Sequence, residues 1–472
     1  MIYKGYEAVI GLEVHIELAT ESKIFCSCPT AFGAEENTQC CPVCMGMPGS
    51  LPVLNERAVE LAVTAGLAAN CRINEYSRQD RKNYFYPDLP KAYQISQYDI
   101  PLCEDGWLMI DTEDGNRRIG ITRIHIEEDA GKLIHEGGRT YIDYNRCGVP
   151  LVEVVSEPDI RSSEEAVSYL RLLRSNMLFA GVSSCKMNEG KMRCDVNISV
   201  RKCGERALGT RTEIKNLNSF TNVAAAIEEE FRRQVDVIEA GGVIVQQTLR
   251  HDADSGKNLF MRTKENAYGY RYFRDPDLPP VVISKEKIES LRQRLPMMAA
   301  KRKEMYEEKY GLSSPDADVL TQTPEVAEYF ERAASLSRAP RYCANLIIGE
   351  LLRLTEGEEL HRCISAEHMA ELSDLAECGY INSTTAKKLV KLLCGCGISP
   401  LDYVNEHSMR QINDAELISE YARRAIKQNP KSVEDYKKGK TNAKKAISGA
   451  VMRESGGYVN PLILEKVLAE LL

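Results

Sequence analysis

Long apolar runs are missing from this 472-residue chain, and none approaches the roughly 18 residues that a membrane-spanning helix needs. The first residues also contain no charged segment followed by an apolar stretch, so they are typical of a strand and not of a signal peptide. Without an export signal, the sixteen cysteines indicate a reducing cytosol, where thiols stay free or bind metal. We therefore expect a cytoplasmic protein that makes no contact with a membrane.

Several catalytic signatures are absent as well. The seven histidines form no HxxxH pair, and no nucleophile elbow or other Ser or Cys hydrolase signature is present. The chain also has neither a P-loop nor a kinase glycine-rich loop. Any catalysis must therefore depend on a different arrangement of polar side chains.

Charge is distributed unevenly along the chain. The net charge is −8, but residues 421–472 contain eleven Lys or Arg against five Asp or Glu, a balance of +6 that leaves −14 for the first 420 residues. The overall acidity argues against a protein that coats nucleic acid. The basic tail predicts a separate functional surface on an acidic body.

Length and pattern together predict several domains, because 472 residues are too many for one core. Short β-type runs alternate with turns up to residue 287, and the pattern is then almost wholly helical, with breaks at Pro296, near 313–315 and at Pro340. The sequence therefore predicts an α+β fold. The predicted domains are an antiparallel-sheet-rich body at 1–287, a helical domain at 288–400 and a basic helical tail at 401–472.

Two helices are predicted inside the body. One begins at Ser162, where Ser162 and Glu165 form a capping box ahead of apolar residues at helical spacing. The other extends from about residue 219 to 239 and ends at Gly241 and Gly242.

Two short-spaced cysteine pairs in the segment 26–44 predict a zinc site. Each pair can reach one ion from a single turn, and the surrounding Pro and Gly favour tight chain reversals. Four sulfur ligands leave no open coordination position, so the predicted role is structural. The alternative is a set of ordinary buried thiols or a disulfide knot. The predicted ligands are Cys26, Cys28, Cys41 and Cys44.

Four segments alternate apolar and polar residues with the period of a β-strand, so each presents polar groups on one face. Asp, Asn and Glu are disfavoured on sheet surfaces unless they are used. Oxygen-rich ligand sets with one imidazole suit Mg²⁺ or Mn²⁺ and the phosphates that these ions carry. A phosphate-handling metal site is one interpretation, and half-solvated strands with polar outer faces are the alternative. The polar groups are Glu13, His15 and Glu17; Glu127, Glu128 and Asp129; Asp195, Asn197 and Ser199; and Arg211, Glu213 and Lys215.

A cation-rich and tyrosine-rich segment, DRKNYFYPDLPKAYQISQYDIP, lies between residues 80 and 101. It contains Lys82, Tyr86 and Lys91 around two prolines. A substrate-facing loop and a tyrosine-rich strand edge or protein interface explain this composition equally well.

The motifs together resemble those of one family. They are IGLEVHIEL, the cysteine loop ending in CPVCMGMPG, DRKNYFYPDLPKAYQISQ, GITRIHIEEDAGK, EPDIRS, MRCDVNIS and EIKNLNSF. On these motifs the chain resembles, over essentially its whole length, the family of B subunits of aspartyl/glutamyl-tRNA(Asn/Gln) amidotransferase, also called the GatB/GatE family. The archaeal GatE members have a large extra domain for which this chain leaves no room.

The resemblance implies a cradle-like body, a tail of the YqeY type and a glutamine-dependent heterotrimeric enzyme. Such an enzyme uses ATP and Mg²⁺ to convert Glu-tRNA(Gln), and often Asp-tRNA(Asn), to the amide form. The B subunit would phosphorylate and amidate the side-chain carboxylate. Ammonia would come from the amidase, which is the A subunit, with the small C subunit wrapped around the junction. This agrees with the absence of an amidase Gly-Ser-Ser signature and of a glutaminase cysteine motif in this chain.

The resemblance also implies roles for individual acidic residues. Glu13, His15 and Glu128 would hold the magnesium ion that positions the phosphates. Asp195 and Glu213 would lie nearby and serve a second ion or the substrate.

Four other residues have less defined roles under this resemblance. Glu127 is left open as a ligand, because it lies on the opposite side of its strand from Glu128. Lys82, Tyr86 and Lys91 fall in the segment that resembles the outlet of the ammonia channel or a substrate loop.

Basic residues in the tail are the predicted tRNA contacts. They fall between the helix breakers Pro430, Gly439 and Gly449, so short helices should present them around a small apolar core. A solvated basic helical face is the alternative. The predicted contacts are Arg423, Arg424, Lys427, Lys437, Lys438, Lys440, Lys444 and Lys445, and the predicted core consists of Ile447, Val451, Leu464 and Leu468.

A function from another class also fits part of the sequence. A zinc-stabilised tRNA-binding scaffold without catalysis would need the cysteines and the basic tail, but it would not need the cluster of Glu13, His15 and Glu128. ATP hydrolysis by the trimer supplied with Glu-tRNA separates the two functions. The choice between Glu-tRNA(Gln) and Asp-tRNA(Asn) stays open.

Overall fold

The computed structural model describes residues 1–113, 115–263, 267–355 and 359–472. They form two compact units, Met1–Met298 and Ala299–Leu472. The first unit combines a large sheet with helices and the second is helical, which confirms the predicted α+β fold class. The domain boundaries after residues 287 and 400 stay predictions. In the described part of the chain, no helix has the length and apolar character needed to cross a membrane.

The strands of the first unit are mostly short, and four of them have ten residues or more. They are β1 (Ile2–Tyr3), β2 (Tyr6–Glu17), β3 (Arg72–Ile73), β4 (Tyr76–Ser77), β5 (Asp80–Asn83), β6 (Tyr93–Ser96), β7 (Cys103–Thr112), β8 (Gly115–Glu128), β9 (Lys132–Glu136), β10 (Arg139–Asp143), β11 (Pro150–Ser156), β12 (Met192–Lys202), β13 (Thr212–Leu217), β14 (Gln247–Asp252), β15 (Lys257–Thr263), β16 (Phe273–Arg274) and β17 (Val281–Val282).

The helices α1 to α4 belong to the first unit and the later ones to the second. They are α1 (Glu56–Ala68), α2 (Ser163–Phe179), α3 (Phe220–Glu239), α4 (Lys285–Gln293), α5 (Ala299–Tyr310), α6 (Ser314–Leu320), α7 (Pro324–Leu336), α8 (Pro340–Leu346), α9 (Leu352–Thr355), α10 (Leu360–Cys363), α11 (Ala366–Glu377), α12 (Ser383–Leu392), α13 (Pro400–Glu406), α14 (Ala415–Gln428), α15 (Pro430–Lys437), α16 (Ala443–Glu454) and α17 (Pro461–Leu471).

A ten-stranded sheet forms the centre of the first unit, in the order β15-β14-β13-β12-β2-β11-β8-β7-β3, with β1 paired to β2. Neighbouring strands are antiparallel except β13 and β14, which are parallel. The strands β2, β8, β11 and β12 lie in the middle of this order. They therefore bring distant parts of the chain together on one surface.

One face of this sheet is buried under helices. Leu12, Val14 and Ile16 of β2 are fully buried, as the alternation in the sequence predicted. Helices α1, α2 and α3 pack against β8, β7 and β12 of the sheet. Since side chains alternate along a strand, the polar residues between these apolar ones face away from this core.

The two predicted body helices are present with the predicted starts. Ser219 caps α3, and the helix ends at Glu239. Ser162 caps α2 and accepts a hydrogen bond from the Glu165 N–H at 3.2 Å. In a full capping box the Glu165 carboxylate would accept a hydrogen bond from the Ser162 N–H. Here it accepts from the Arg161 N–H, so only one of the two hydrogen bonds of the capping box is formed.

Proline marks the starts of several helices in the second unit. Pro315, Pro324 and Pro340 each occupy the first turn of a helix. N–H groups in the first turn form no hydrogen bond within the helix, so a proline, which lacks the N–H, is tolerated there. The predicted breaks near residues 313–315 and at Pro340 are therefore helix starts.

The second unit contains two hydrophobic clusters within its described residues. The larger one surrounds Tyr329 and Phe330, both fully buried, on α7. The smaller one joins α14, α16 and α17, and it includes the four predicted core residues Ile447, Val451, Leu464 and Leu468. The tail therefore has its own small core, as predicted.

A disulfide joins Cys363 and Cys394 in the second unit, with a Cα–Cα distance of 4.2 Å. This corrects the expectation that all cysteines stay free or bind metal. The Gly395 N–H donates to the Cys363 carbonyl at 2.7 Å, which holds the two chain segments side by side. No feature of the sequence pattern indicated that these two segments meet.

Candidate active site

A cleft of about 570 Å³ opens on the polar face of the central sheet. We call it the central cleft. Acidic, imidazole and cationic side chains line it together, contributed by β2, β5, β8, β12 and β13. Those used below are His15, Lys82, Glu127, Arg193, Asp195 and Lys215.

The first cluster of the cleft consists of His15, Glu127 and Glu153. One ligand atom of each lies within 4.8 Å of the others. His15 Nε2 lies 3.2 Å from Glu127 Oε1 and 3.5 Å from Glu153 Oε2. His15 lies on β2, Glu127 on β8 and Glu153 on β11. The strand β11 lies between β2 and β8, and its register places Glu153 directly opposite His15.

Burial and charge oppose each other in this cluster. Burial disfavours the charged ring of His15, but the two neighbouring carboxylates outweigh it and raise its pKa to about 10. Burial disfavours ionised Glu127 and Glu153, and repulsion from Glu153 adds to this at Glu127. The pKa of both nevertheless lies below the usual range, because His125 and His15 favour ionised Glu153, His15 favours ionised Glu127, and Lys82 favours both. Burial lowers the pKa of the neighbouring His125. Two carboxylates are therefore ionised side by side and need positive charge between them.

This donor set fits a hard divalent cation. Two carboxylates and one imidazole leave several coordination positions for water or phosphate oxygen, as Mg²⁺ and Mn²⁺ require. An ion held by these atoms would supply the positive charge that the protonated His15 otherwise provides.

A second cluster consists of Glu13, Asp195 and Glu213, again with ligand atoms within 4.8 Å of one another, and its Asp195 lines the central cleft. Lys215 Nζ lies 2.6 Å from Asp195 Oδ2 and 3.3 Å from Glu213 Oε1. Burial disfavours the charge of Lys215, but these carboxylates outweigh it and raise its pKa. Asn197 Nδ2 donates to Glu13 at 2.9 Å. Glu13 was predicted to bind the same ion as His15, whereas the structure groups its carboxylate with those of Asp195 and Glu213.

The structure does not bring Glu128 to Glu13 or His15, which corrects the predicted ligand set. Glu128 lies on the opposite face of β8, where Lys91 Nζ donates to it at 2.7 Å and the Ile95 N–H at 2.8 Å. Successive side chains of a strand point to opposite faces, so Glu127 occupies the place that was assigned to Glu128.

The signal for this correction was present in the sequence. Ile124 and Ile126 alternate with polar residues along the strand, and both are buried. The same alternation puts Glu127 on the polar face and Glu128 on the apolar side. The resemblance of the motif favoured Glu128, whereas the period of the strand favoured Glu127.

Glu153 was missed altogether. It lies in the strand PLVEVVS, where apolar residues occupy both faces and hide the alternation. Its role depends on the register of β11 between β2 and β8, which is a tertiary property. The one local sign of a functional role for Glu153 was a single carboxylate within an apolar segment.

The predicted substrate-loop residues do not form one group. Lys82 lines the central cleft, with Nζ 5.2 Å from the ring centre of Tyr270. Lys91 is paired with Glu128 in a separate cavity of about 120 Å³. Tyr86 is 52% exposed. Their assignment to a channel outlet stays a prediction.

The four predicted zinc ligands do converge. The Sγ atoms of Cys26, Cys28, Cys41 and Cys44 lie within 4.8 Å of one another. A hydrogen bond from Cys26 lowers the pKa of Cys44 to about 4, which favours the thiolate form that binds metal. Lys23 Nζ lies 3.7 Å from Cys44 Sγ. Four sulfurs at this separation fit a closed tetrahedral zinc site.

The predicted tRNA contacts of the tail differ in their surroundings. Half of them form ion pairs within the second unit: Arg424 with Glu454, Lys438 with Glu434, Lys440 with Asp435 and Lys444 with Glu465. The others are exposed and form no ion pair with another described residue: Arg423, Lys427, Lys437 and Lys445. Arg423 and Lys427 lie four residues apart on α14 and therefore share one face.

Two family descriptions match the chain. The GatB/GatE catalytic domain matches residues 8–289, which contain the central cleft and the cysteine site. The GatB domain named for YqeY matches residues 328–472, which contain the basic tail. Together they cover most of the chain.

Curated relatives match the chain over nearly its whole length. A protein of Caldicellulosiruptor bescii is 51% identical over 473 residues, which cover 98% of each chain. Proteins of Caldicellulosiruptor saccharolyticus and Caldanaerobacter subterraneus subsp. tengcongensis are 51% and 50% identical, with 98% or more of each chain covered. All three relatives are named as the B subunit of aspartyl/glutamyl-tRNA(Asn/Gln) amidotransferase.

Proposed function

The chain belongs to the family of B subunits of aspartyl/glutamyl-tRNA(Asn/Gln) amidotransferase, and we propose that its central cleft activates and amidates a carboxylate attached to tRNA. The reaction class is that of an ATP-dependent ligase with glutamine as the source of nitrogen. The observation that carries this assignment is the cluster of His15, Glu127 and Glu153, of which His15 and Glu127 line a cleft together with several cationic side chains.

The chemistry explains why such a cleft is needed. A carboxylate resists attack by ammonia because its carbon is electron-rich. One carboxylate oxygen first attacks the γ-phosphorus of ATP and ADP leaves, which gives an acyl phosphate. Ammonia then attacks the acyl carbon, phosphate leaves, and the nitrogen loses a proton to give the amide. The first step brings two anions together and the second develops negative charge on the acyl oxygen and the leaving phosphate, so the site must supply positive charge.

His15, Glu127 and Glu153 would hold the magnesium ion. When bound, the ion offsets the negative charge shared by the triphosphate and the carboxylate. Lys82 and Arg193 also face the cleft and add fixed positive charge near the same place. Their side chains are suited to orient the phosphate and carboxylate groups.

Glu13, Asp195 and Glu213 are proposed to serve a second cation or a positively charged group of the substrate. Lys215 lies among these carboxylates and lines the cleft. Asp195 of this cluster and His15 and Glu127 of the first line the same cleft.

The cysteine loop is proposed to be a structural zinc site that orders residues 26–44. The partners are proposed to be the amidase, or A subunit, which supplies ammonia, and the small C subunit. The substrates are Glu-tRNA(Gln), Asp-tRNA(Asn) or both, with the basic tail on the body of the tRNA.

An amidation assay tests the proposed function. The trimer is given glutamine, ATP, Mg²⁺ and either Glu-tRNA(Gln) or Asp-tRNA(Asn), and the released amino acids are identified. We expect the amide to form only with ATP and Mg²⁺ present. Tight tRNA binding without ATP hydrolysis or amide formation would favour the non-catalytic scaffold instead.

The tail makes a separate prediction about tRNA binding. Replacing Arg423 and Lys427 by Ala should weaken tRNA binding and flatten its salt dependence by about one unit of slope or less per lost contact, because each phosphate contact releases counterions. The measurement is the Kd for tRNA at several KCl concentrations.

A matched variant replaces Lys438 and Lys440, which are already paired with Glu434 and Asp435. It removes the same charge but should change the slope less. Glutaminase activity of the trimer is the control for assembly. Equal slopes for both variants and the wild type would show that the tail does not contact tRNA phosphates through α14.

A further inference from the structure

Three side chains form a row across the polar face of the central sheet. Glu153 on β11 lies directly opposite His15 on β2 and directly opposite His125 on β8. The Nε2 atoms of both histidines lie 3.5 Å from the same oxygen, Glu153 Oε2. One carboxylate is therefore flanked by two imidazole rings.

The two rings occupy different environments. The side chain of His15 is 22% exposed and lines the central cleft, whereas that of His125 is 3% exposed. Among the described residues, the group of ligand atoms within 4.8 Å contains His15 and not His125. His125 is thus beside the ligand set and not part of it.

Arg123 fixes the tautomer of His125. Arg123 Nε donates to His125 Nδ1 at 3.4 Å, so this nitrogen is an acceptor. The ring proton must then be on Nε2. That nitrogen lies 3.5 Å from Glu153 Oε2 and 3.8 Å from Glu127 Oε2. The protonated nitrogen of His125 therefore lies beside the two carboxylates of the cluster.

We propose that His125 is a positioning residue: its Nε2–H orients Glu153, and secondarily Glu127, for the divalent cation of the central cleft. This inference rests on the proposed function. Partners of this kind typically contribute 10- to 100-fold to metal affinity, so about that factor is expected here.

The roles of histidine and carboxylate in this contact are the reverse of those in most metal sites. Metal ligands that are histidines are commonly oriented by a carboxylate. Here a carboxylate ligand is oriented by a histidine, and the histidine is in turn oriented by Arg123. A hydrogen bond from Arg123 to His125 and a close contact from His125 to Glu153 therefore lead to the ligand.

Two polar variants of the trimer test the proposal. In H125Q the amide nitrogen can occupy the place of Nε2 and still donate to Glu153. In H125N the amide reaches only the place of Nδ1 and cannot. We expect H125N to bind Mn²⁺ about 10- to 100-fold more weakly than wild type, and H125Q to keep most of the affinity. Free Mn²⁺ is measured by electron paramagnetic resonance.

A second readout separates positioning from a general loss of structure. High Mg²⁺ should restore most of the amidation rate of H125N, because the expected defect is in ion affinity and not in kcat. Equal Mn²⁺ affinity in wild type, H125Q and H125N would overturn the proposal, and so would an equal loss in both variants. Absence of Mn²⁺ binding in the wild type would overturn the metal site of the proposed function itself, and this inference with it.

Discussion

Replacing Glu127 by Gln is expected to abolish ATP-dependent phosphorylation of Glu-tRNA(Gln) while glutamine hydrolysis by the amidase continues. Gln keeps the shape of the side chain but removes one of the two charges that hold the cation. Losing the ion from a phosphoryl-transfer site costs several kcal/mol of barrier, so a fall of roughly 1,000-fold or more is expected. Release of labelled phosphate from ATP and conversion of glutamine to glutamate measure the two half-reactions separately.

The neighbouring residue provides the matched control for this prediction. E128Q makes the same chemical change one position along β8, on the opposite face. It should break the pair with Lys91 but leave Mn²⁺ binding in the central cleft intact. Loss of Mn²⁺ binding in E128Q, with normal binding in E127Q, would contradict the corrected ligand set and restore the one drawn from the motif resemblance.

The comparison of Glu127 with Glu128 shows what strand periodicity can and cannot predict. The sequence predicted which faces of β2, β8 and β12 are polar, because one side of each strand is buried and a shift of one residue would reverse all side chains. It also contained enough information to choose Glu127. It could not predict that β11 separates β2 from β8, which is why Glu153 and the role of His125 became visible only in the sheet.

Helices were predicted more completely than contacts between distant segments. Ser162 and Ser219 carry local capping signals, and the helices begin there because their hydroxyls satisfy free N–H groups of the first turn. The disulfide between Cys363 and Cys394 has no such local signal. This disulfide forms because α10 and the end of α12 lie close together. Their approach depends on packing in the larger hydrophobic cluster of the second unit.

Removing a zinc ligand is the second change with a large expected effect. Among the four cysteines, Cys44 is the buried one, and its sulfur accepts a hydrogen bond from the Cys41 N–H and contacts Lys23 Nζ. C44S should therefore lose zinc. Apparent zinc binding at such sites is on the order of 10–16 kcal/mol, and the loop 26–44 contains no helix or named strand that could replace it. The loop should unfold.

Cys40, the fifth cysteine of the same loop, provides a matched control for this prediction. C40S changes one thiol to a hydroxyl only a few residues away, but Cys40 is not in the group of converging sulfurs. We expect about one zinc per chain in the wild type and in C40S by metal analysis, and close to none in C44S. Limited proteolysis should then cut C44S within residues 26–44 while C40S resists. A full zinc content in C44S, or none in the wild type, would show that the four cysteines are free thiols and not a zinc site. The order of the loop would then have to come from nearby contacts, such as the hydrogen bond from the Lys23 ammonium to the Tyr144 carbonyl.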